Sequence, residues 1–96
     1  MRWIWDPNKN YANLRIHGLD FEAASYVFED PLAATQEDIY EREQRWRTIG
    51  MVGPVVLLVV HTWPEADPAT GVEVGRIISA RKATRQERMA YEEGYF

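Results

Sequence analysis

Met51-Val52-Gly53-Pro54-Val55-Val56-Leu57-Leu58-Val59-Val60 is the stretch on which the fold turns. Gly53-Pro54 is a turn signal, and six aliphatic residues follow it without a polar interruption. So apolar a run reads as a strand covered on both faces, and therefore as a central one. It is far too short to cross a bilayer. Before the turn, Arg42 to Met51 alternates loosely, with Trp46 and Ile49 as apolar anchors, and reads as a neighbouring strand.

Working outward, residues 63–73 (Trp-Pro-Glu-Ala-Asp-Pro-Ala-Thr-Gly-Val-Glu) are rich in breakers and read as a loop. Val74 to Ala80 reads as the last strand. Thr84 and Glu87 stand three apart, as a capping box requires, and predict a helix that ends near Glu93 with Gly94 as its stop. Toward the N-terminus, acidic residues 36–41 read as a loop or a frayed strand edge. Asp20 caps a helix whose stripe is Phe21, Ala24, Val27 and Phe28, stopped by Asp30-Pro31. Asp6-Pro7 opens an earlier helix that runs to about His17 and leaves at Gly18, with Tyr11 and Leu14 as its expected core contacts. Arg2 to Asp6 reads as a first strand with Trp3 and Trp5 on one side. The expectation is a single α+β domain over residues 1–96: a small antiparallel sheet with two N-terminal helices and one C-terminal helix.

The chain has no cysteine, which excludes disulfides and thiolate metal sites and fits a reducing cytoplasm. Asp6 arrives before an apolar leader can form, so no signal peptide is expected, and no membrane association either. The net charge of −4 argues against a nucleic-acid partner until its distribution is read. Residues 19–45 hold eight acids and two arginines, whereas residues 76–88 hold five bases and one acid. A polyanion would meet the second segment and avoid the first, so the acidic segment is expected to face away from it.

Trp5-Asp6-Pro7-Asn8-Lys9, Asn13, His17-Gly18, Phe21-Glu22, Ala24, Phe28 and Asp30-Pro31 together resemble the opening of the BrnT family. Arg45 with Ile49-Gly50 is similar to the family's middle, and Arg76-Ile77-Ile78-Ser79-Ala80-Arg81-Lys82-Ala83-Thr84, Glu87-Arg88 and Tyr91 to its most distinctive stretch. The resemblance implies a ribonuclease toxin with a RelE-like fold. It also implies neutralisation by a BrnA-type antitoxin that carries a ribbon-helix-helix domain, with DNA contacted only through that antitoxin. The chain departs from the family pattern after His61-Thr62, where Trp63-Pro64-Glu65 opens a longer loop.

Cutting RNA without a metal or other cofactor requires the ribose 2′-hydroxyl to attack the adjacent phosphorus in line, while cations neutralise the phosphoryl oxygens. Arg76 and Arg81 are the candidates for that charge, since arginine is permanently cationic and donates paired hydrogen bonds. Strict alternation would put them on opposite faces, so they act together only if the strand ends or twists near Ala80. His61, at the end of the central strand, suits a general acid or base, or else a hydrogen-bonded core histidine. Tyr91 could stack on a base, exchange a proton, or pack on the sheet. Lys82, Arg85 and Arg88 are candidate RNA contacts or a solvated face. Lys9, with Asn13 and His17 on one polar helix stripe, could touch RNA or antitoxin or simply face solvent. No metal-ligand cluster, nucleophilic triad or phosphate-cradling glycine loop is present in the sequence. A metal-independent cytoplasmic endoribonuclease is the leading expectation. The alternative is a non-catalytic module that only binds antitoxin and tunes its operon.

Overall fold

The turn at Gly53 (φ 59°) folds Val55–His61 (β4) back on Arg45–Val52 (β3), pairing Ile49 with Leu58 and Trp46 with His61. The computed structural model describes residues 1–39 and 42–96. The apolar run is central as expected: Glu73–Lys82 (β6) lies antiparallel on the other side of β4. Ala34–Asp38 (β2) flanks β3, Arg2–Ile4 (β1) flanks β6, and two-residue Glu65–Ala66 (β5) also pairs with β6.

The α+β class holds, but the sheet is mixed, because β1 runs parallel to β6. Some seventy residues separate these strands, so no hairpin imposes an antiparallel direction on them. Of the two readings of residues 36–41, a loop or a frayed strand edge, the structure shows the strand edge. Residues 34–38 are an edge strand paired with β3, and residues 40–41 lie outside the described residues.

The helices follow their caps. Pro7–His17 (α1) starts where Asp6 accepts from the Asn8 amide, and ends at Gly18 with φ 69°. Asp20 caps the second helix, yet only Phe21–Ala24 (α2) is α-helical, and Ser25–Glu29 tightens into a 3₁₀ turn. The aromatic and β-branched Tyr26-Val27-Phe28 are indifferent helix formers, and the tighter turn still buries Val27 beside Phe21 and Ala24. The C-terminal helix, Arg85–Glu93 (α3), has its full capping box and stops at Gly94 with φ 77°.

Tyr11 and Leu14 are not core contacts; they are 66% and 47% exposed. The side of α1 that meets the sheet is polar instead. Buried Asn13 donates to the Ala80 and Leu19 carbonyls at 2.8 and 2.9 Å and accepts from the Ala80 amide at 3.1 Å. Asn10 accepts from the Phe21 amide at 2.8 Å. β1 pairs only with residues 74–76, so on the side away from β4 the backbone of Ala80 has no strand beside it and takes its partners from a side chain.

Two apolar clusters sandwich the sheet. On one face, Leu57, Val59, Ile77 and Ala80 pack against Phe21, Ala24 and Val27, with Trp3, Trp5 and Phe28 around them. On the other, Ile49, Val56 and Leu58 meet Ala83, Tyr91 and Phe96 from the C-terminal segment. That second cover is partial, and it leaves part of the sheet face for the site.

Candidate active site on an arginine-lined sheet face

A bulge in β6 solves the parity problem of its two arginines. Arg81 lies opposite Leu58 and Ser79 opposite Val60, but Ile77 lies opposite His61, so Ile78 is an extra residue. Counting back through the bulge puts Arg76 on the same face as Ser79 and Arg81. On β3, Arg47 lies opposite Val60, so Arg47 and Arg45 share that face too. Four guanidinium groups from two strands therefore line one side of the sheet, beyond the end of the cover made by α3. Arg47 also lies 5.7 Å from the Phe96 ring centroid, at the rim of that cover.

Two acids of the segment 19–45, Asp38 and Glu43, sit among them, so this part of the acidic segment does not stand apart from the basic one. Arg76 Nη2 donates to Glu43 Oε1 at 2.8 Å, and Asp38 lies 3.6 Å from Arg45 and 3.8 Å from Arg47. Edge strand β2 carries Asp38 onto this face through its pairing with Arg45, and Gln36 accepts from Arg47 at 2.5 Å. Arg47 Nε is shielded from solvent and makes no hydrogen bond.

The four arginines differ in how firmly they are held. Arg81 makes a bidentate pair with Glu87, at 2.7 and 2.9 Å, and the same carboxylate accepts from the Thr84 amide at 2.8 Å. The Arg81 hydrogen bonds hold the Glu87 carboxyl down at about 2, and burial of the pair is outweighed. Arg81 thus clamps the end of β6 to the start of α3. The Arg76–Glu43 pair is single and more than a third exposed on each side. Such a pair contributes about 0.2–1 kcal/mol, so an entering phosphate can displace the carboxylate.

His61 lies elsewhere. Its ring is buried on the opposite face, between Trp3 and Phe28, edge-on to both at centroid distances of 5.1 and 5.0 Å. Nδ1 faces the Thr62 carbonyl at 2.8 Å, which can only accept, so that nitrogen carries the proton. Nε2 then accepts from Thr48 at 2.6 Å, and Thr48 in turn accepts from Thr35 at 2.7 Å. Burial pushes the imidazole below its ordinary value, against the pull of the Thr62 carbonyl.

Tyr91 belongs to α3 and donates to Asp30, which also accepts from the Met51 and Leu32 amides. The carboxylate beside it raises the phenol to about 12, which suits a structural donor better than an exchanger near neutrality. Burial favours the protonated acid at Asp30, but these donors together outweigh it and lower the carboxyl.

The remaining basic candidates are exposed and spread over three elements: Lys9 on α1, Lys82 at the end of β6, and Arg85 and Arg88 on α3. Lys82 lies opposite Leu57 and so points to the helix-covered face, away from Arg81. Arg76 and Arg81 share a face, with Arg45 and Arg47 on it too, but they stand five residues apart on β6 and pair separately with Glu43 and Glu87. Two arginines at alternate positions of β3 were the sequence signal for Arg45 and Arg47.

Among the described residues, no group of three or more His, Asp or Glu side chains could hold a metal ion, and no helix is long and apolar enough to cross a membrane. A family described as "Ribonuclease toxin, BrnT, of type II toxin-antitoxin system" matches residues 5–87. No curated protein matches the chain.

Proposed function

The chain belongs to the BrnT ribonuclease toxins of type II toxin–antitoxin systems, and from that premise we propose that it is a metal-independent endoribonuclease whose centre is the arginine-lined sheet face. One observation carries this reading: the bulge at Ile78 turns Arg76 onto the same open face as Arg45 and Arg47. RNA laid across that face exchanges the Arg76–Glu43 pair for an Arg76–phosphate pair. Arg76 and Arg47 then neutralise the phosphoryl oxygens as the 2′-hydroxyl attacks in line, and that charge stabilisation is the main contribution to rate. Glu43, displaced but adjacent, takes the hydroxyl proton. The O2′–P bond forms as the P–O5′ bond breaks, and the departing 5′-oxygen takes a proton from water, leaving 2′,3′-cyclic phosphate and 5′-hydroxyl ends. Arg81 adds its charge at the rim while it holds the strand–helix junction. Arg85 and Arg88 on α3 serve the flanking strand through general attraction, and Lys82 and Lys9, which lie off the arginine face, add only to the long-range field that draws RNA in. His61 and Tyr91 keep the two faces in register.

Family membership implies an antitoxin partner. We propose that it is of the BrnA type, with a ribbon-helix-helix domain, that the pair contacts DNA only through that partner, and that the toxin acts in the cytoplasm.

The test is digestion of RNA by the purified protein in chelator. Attack by the 2′-hydroxyl leaves 2′,3′-cyclic phosphate ends. Arg76→Ala should slow cleavage by about 10²–10³ while the protein stays folded. Full cleavage by that variant, or 3′-hydroxyl ends, would remove the proposed chemistry.

A further inference from the structure

Beside Arg76 the structure holds a second feature that charge neutralisation does not use. Trp63 is 57% exposed, and its ring meets Trp46 at 4.8 Å with a tilt of 55°, so the two form an open wedge. The wedge is one wall of a concave site of about 350 Å³, whose other lining residues are Gln44, Thr62, Glu65 and Val74. One exposed tryptophan is unremarkable by itself. Its setting is not, because aromatic rings, a carboxylate and an amide converge there next to a phosphate-competent cation.

The site is built on fixed backbone. β5 pairs Glu65 with Val74, and the rest of the loop is closed where the Asp67 amide donates to the Val72 carbonyl and the Gly71 amide donates to the Asp67 carbonyl. It reaches Arg76 around the end of the sheet: Trp46 lies opposite His61 and so starts from the side of β3 away from Arg45 and Arg47, whereas Val74 lies on the arginine side of β6. The Arg76 amide donates to Thr62 Oγ1 at 2.9 Å. Val74 stands two residues before Arg76 on the same side of β6, about 6–7 Å away.

We propose that this site takes one unpaired nucleobase of the RNA, stacked on Trp63, and that it selects guanine. This rests on the reading that the arginine face binds RNA. Stacking admits any base, so selection must come from the polar lining. Glu65 as a carboxylate offers acceptors only. Gln44 donates one amide hydrogen to Glu37 at 2.8 Å and keeps one amide hydrogen and its carbonyl oxygen, so it does not discriminate between base edges. The two acceptor oxygens of Glu65 favour a base edge with adjacent donors. Guanine presents a ring N–H beside an amino group, whereas uracil presents a single ring N–H between two carbonyls. The long loop after His61-Thr62, where the chain departs from its family's pattern, supplies both Trp63 and Glu65.

The test titrates guanosine and uridine 5′-monophosphates into the protein, following the indole N–H signals by NMR, alongside RNA cleavage. The guanine nucleotide should bind at least about 10-fold more tightly. Trp63→Ala should weaken it about 10- to 100-fold and Trp63→Phe much less, since one stacked base is worth that much on truncation. Glu65→Gln should abolish the ordering of the two nucleotides. Equal binding of the two by the unaltered protein, or unchanged binding by Trp63→Ala, overturns the proposal. If RNA is cleaved but Trp63→Ala cleaves as fast and with the same site preference, the subsite falls and the catalytic reading stands. If no RNA is cleaved yet the nucleotide ordering is seen, the catalytic reading falls and the subsite stands.

Discussion

Replacing Arg81 by alanine separates its two roles, because the structure gives each a different signature. The substitution removes two charge-assisted hydrogen bonds to Glu87, at 2.7 and 2.9 Å. Hydrogen bonds to charged groups contribute about 1.5–3 kcal/mol when shielded, and exposed ion pairs about 0.2–1 kcal/mol. The Arg81 side chain is 37% exposed and that of Glu87 17%, so solvent screens part of the pair. Glu87 keeps its hydrogen bond to the Thr84 amide, so the helix cap survives. A loss of about 1–2 kcal/mol follows, or a Tm lower by about 5–15 °C for a domain of this size. The pH dependence has a definite sign. The folded-state pKa of Glu87 is held near 2, below its ordinary 4.5. Its contribution is therefore complete above 4.5 and is lost as pH falls from 4.5 toward 2. Melting curves of the two proteins should accordingly lie apart at neutral pH and converge toward pH 2. A variant that melts like the unaltered protein at pH 7, yet cleaves RNA a hundredfold more slowly, would refute this account. Arg81 would then act on substrate and not on the junction.

Two further outcomes probe the covered face. A Cβ on Gly75 would stand 2.3 Å from the Trp3 ring, which is itself stacked on Phe28 at 3.9 Å and cannot yield, so Gly75→Ala should destabilise by about 1–3 kcal/mol in chemical denaturation; an unchanged midpoint would mean Trp3 is loosely held. His61 is buried with its pKa below 6.5, so unfolding takes up a proton, and stability should decline as pH falls below 6.5. Urea titrations between pH 7 and about 5 should show that decline, and His61→Asn should flatten it; an equal slope in the variant would assign the titration to another group.

Much of the fold was legible because local chemistry and global need agreed. Val55–Val60 could only be a central strand, and Thr84 with Glu87 could only begin a helix. α1 was misread for the opposite reason. Its apolar residues Tyr11 and Leu14 invite burial, but β1 is too short to satisfy the edge of β6, and the backbone of Ala80 draws in Asn13 instead. Polar demand from a strand sixty-seven residues away decided which side of the helix turned inward. The site was half legible in the same way. Arg76 and Arg81 stood out by charge, but their common face depends on a register shift that no alternation pattern encodes.

That register shift also bears on why so many acids can share a face with the cation proposed to act on RNA. An unpaired guanidinium cluster on one sheet face would repel itself, and Asp38, Glu43 and Glu87 relieve this in the free protein. The relief is graded. Glu87 is tied into a helix cap and cannot leave without loosening α3, whereas Glu43 is held by one exposed contact. A phosphodiester offers Arg76 paired acceptors where Glu43 gives one short contact, and exchange returns the carboxylate to water at little cost. Without the extra residue at Ile78, Arg76 would point toward the helix-covered face beside Trp3 and Phe28, where burying its charge would cost several kcal/mol. The bulge therefore does more than re-aim one side chain: it keeps the exposed Arg76–Glu43 pair on the face where the proposed chemistry needs it.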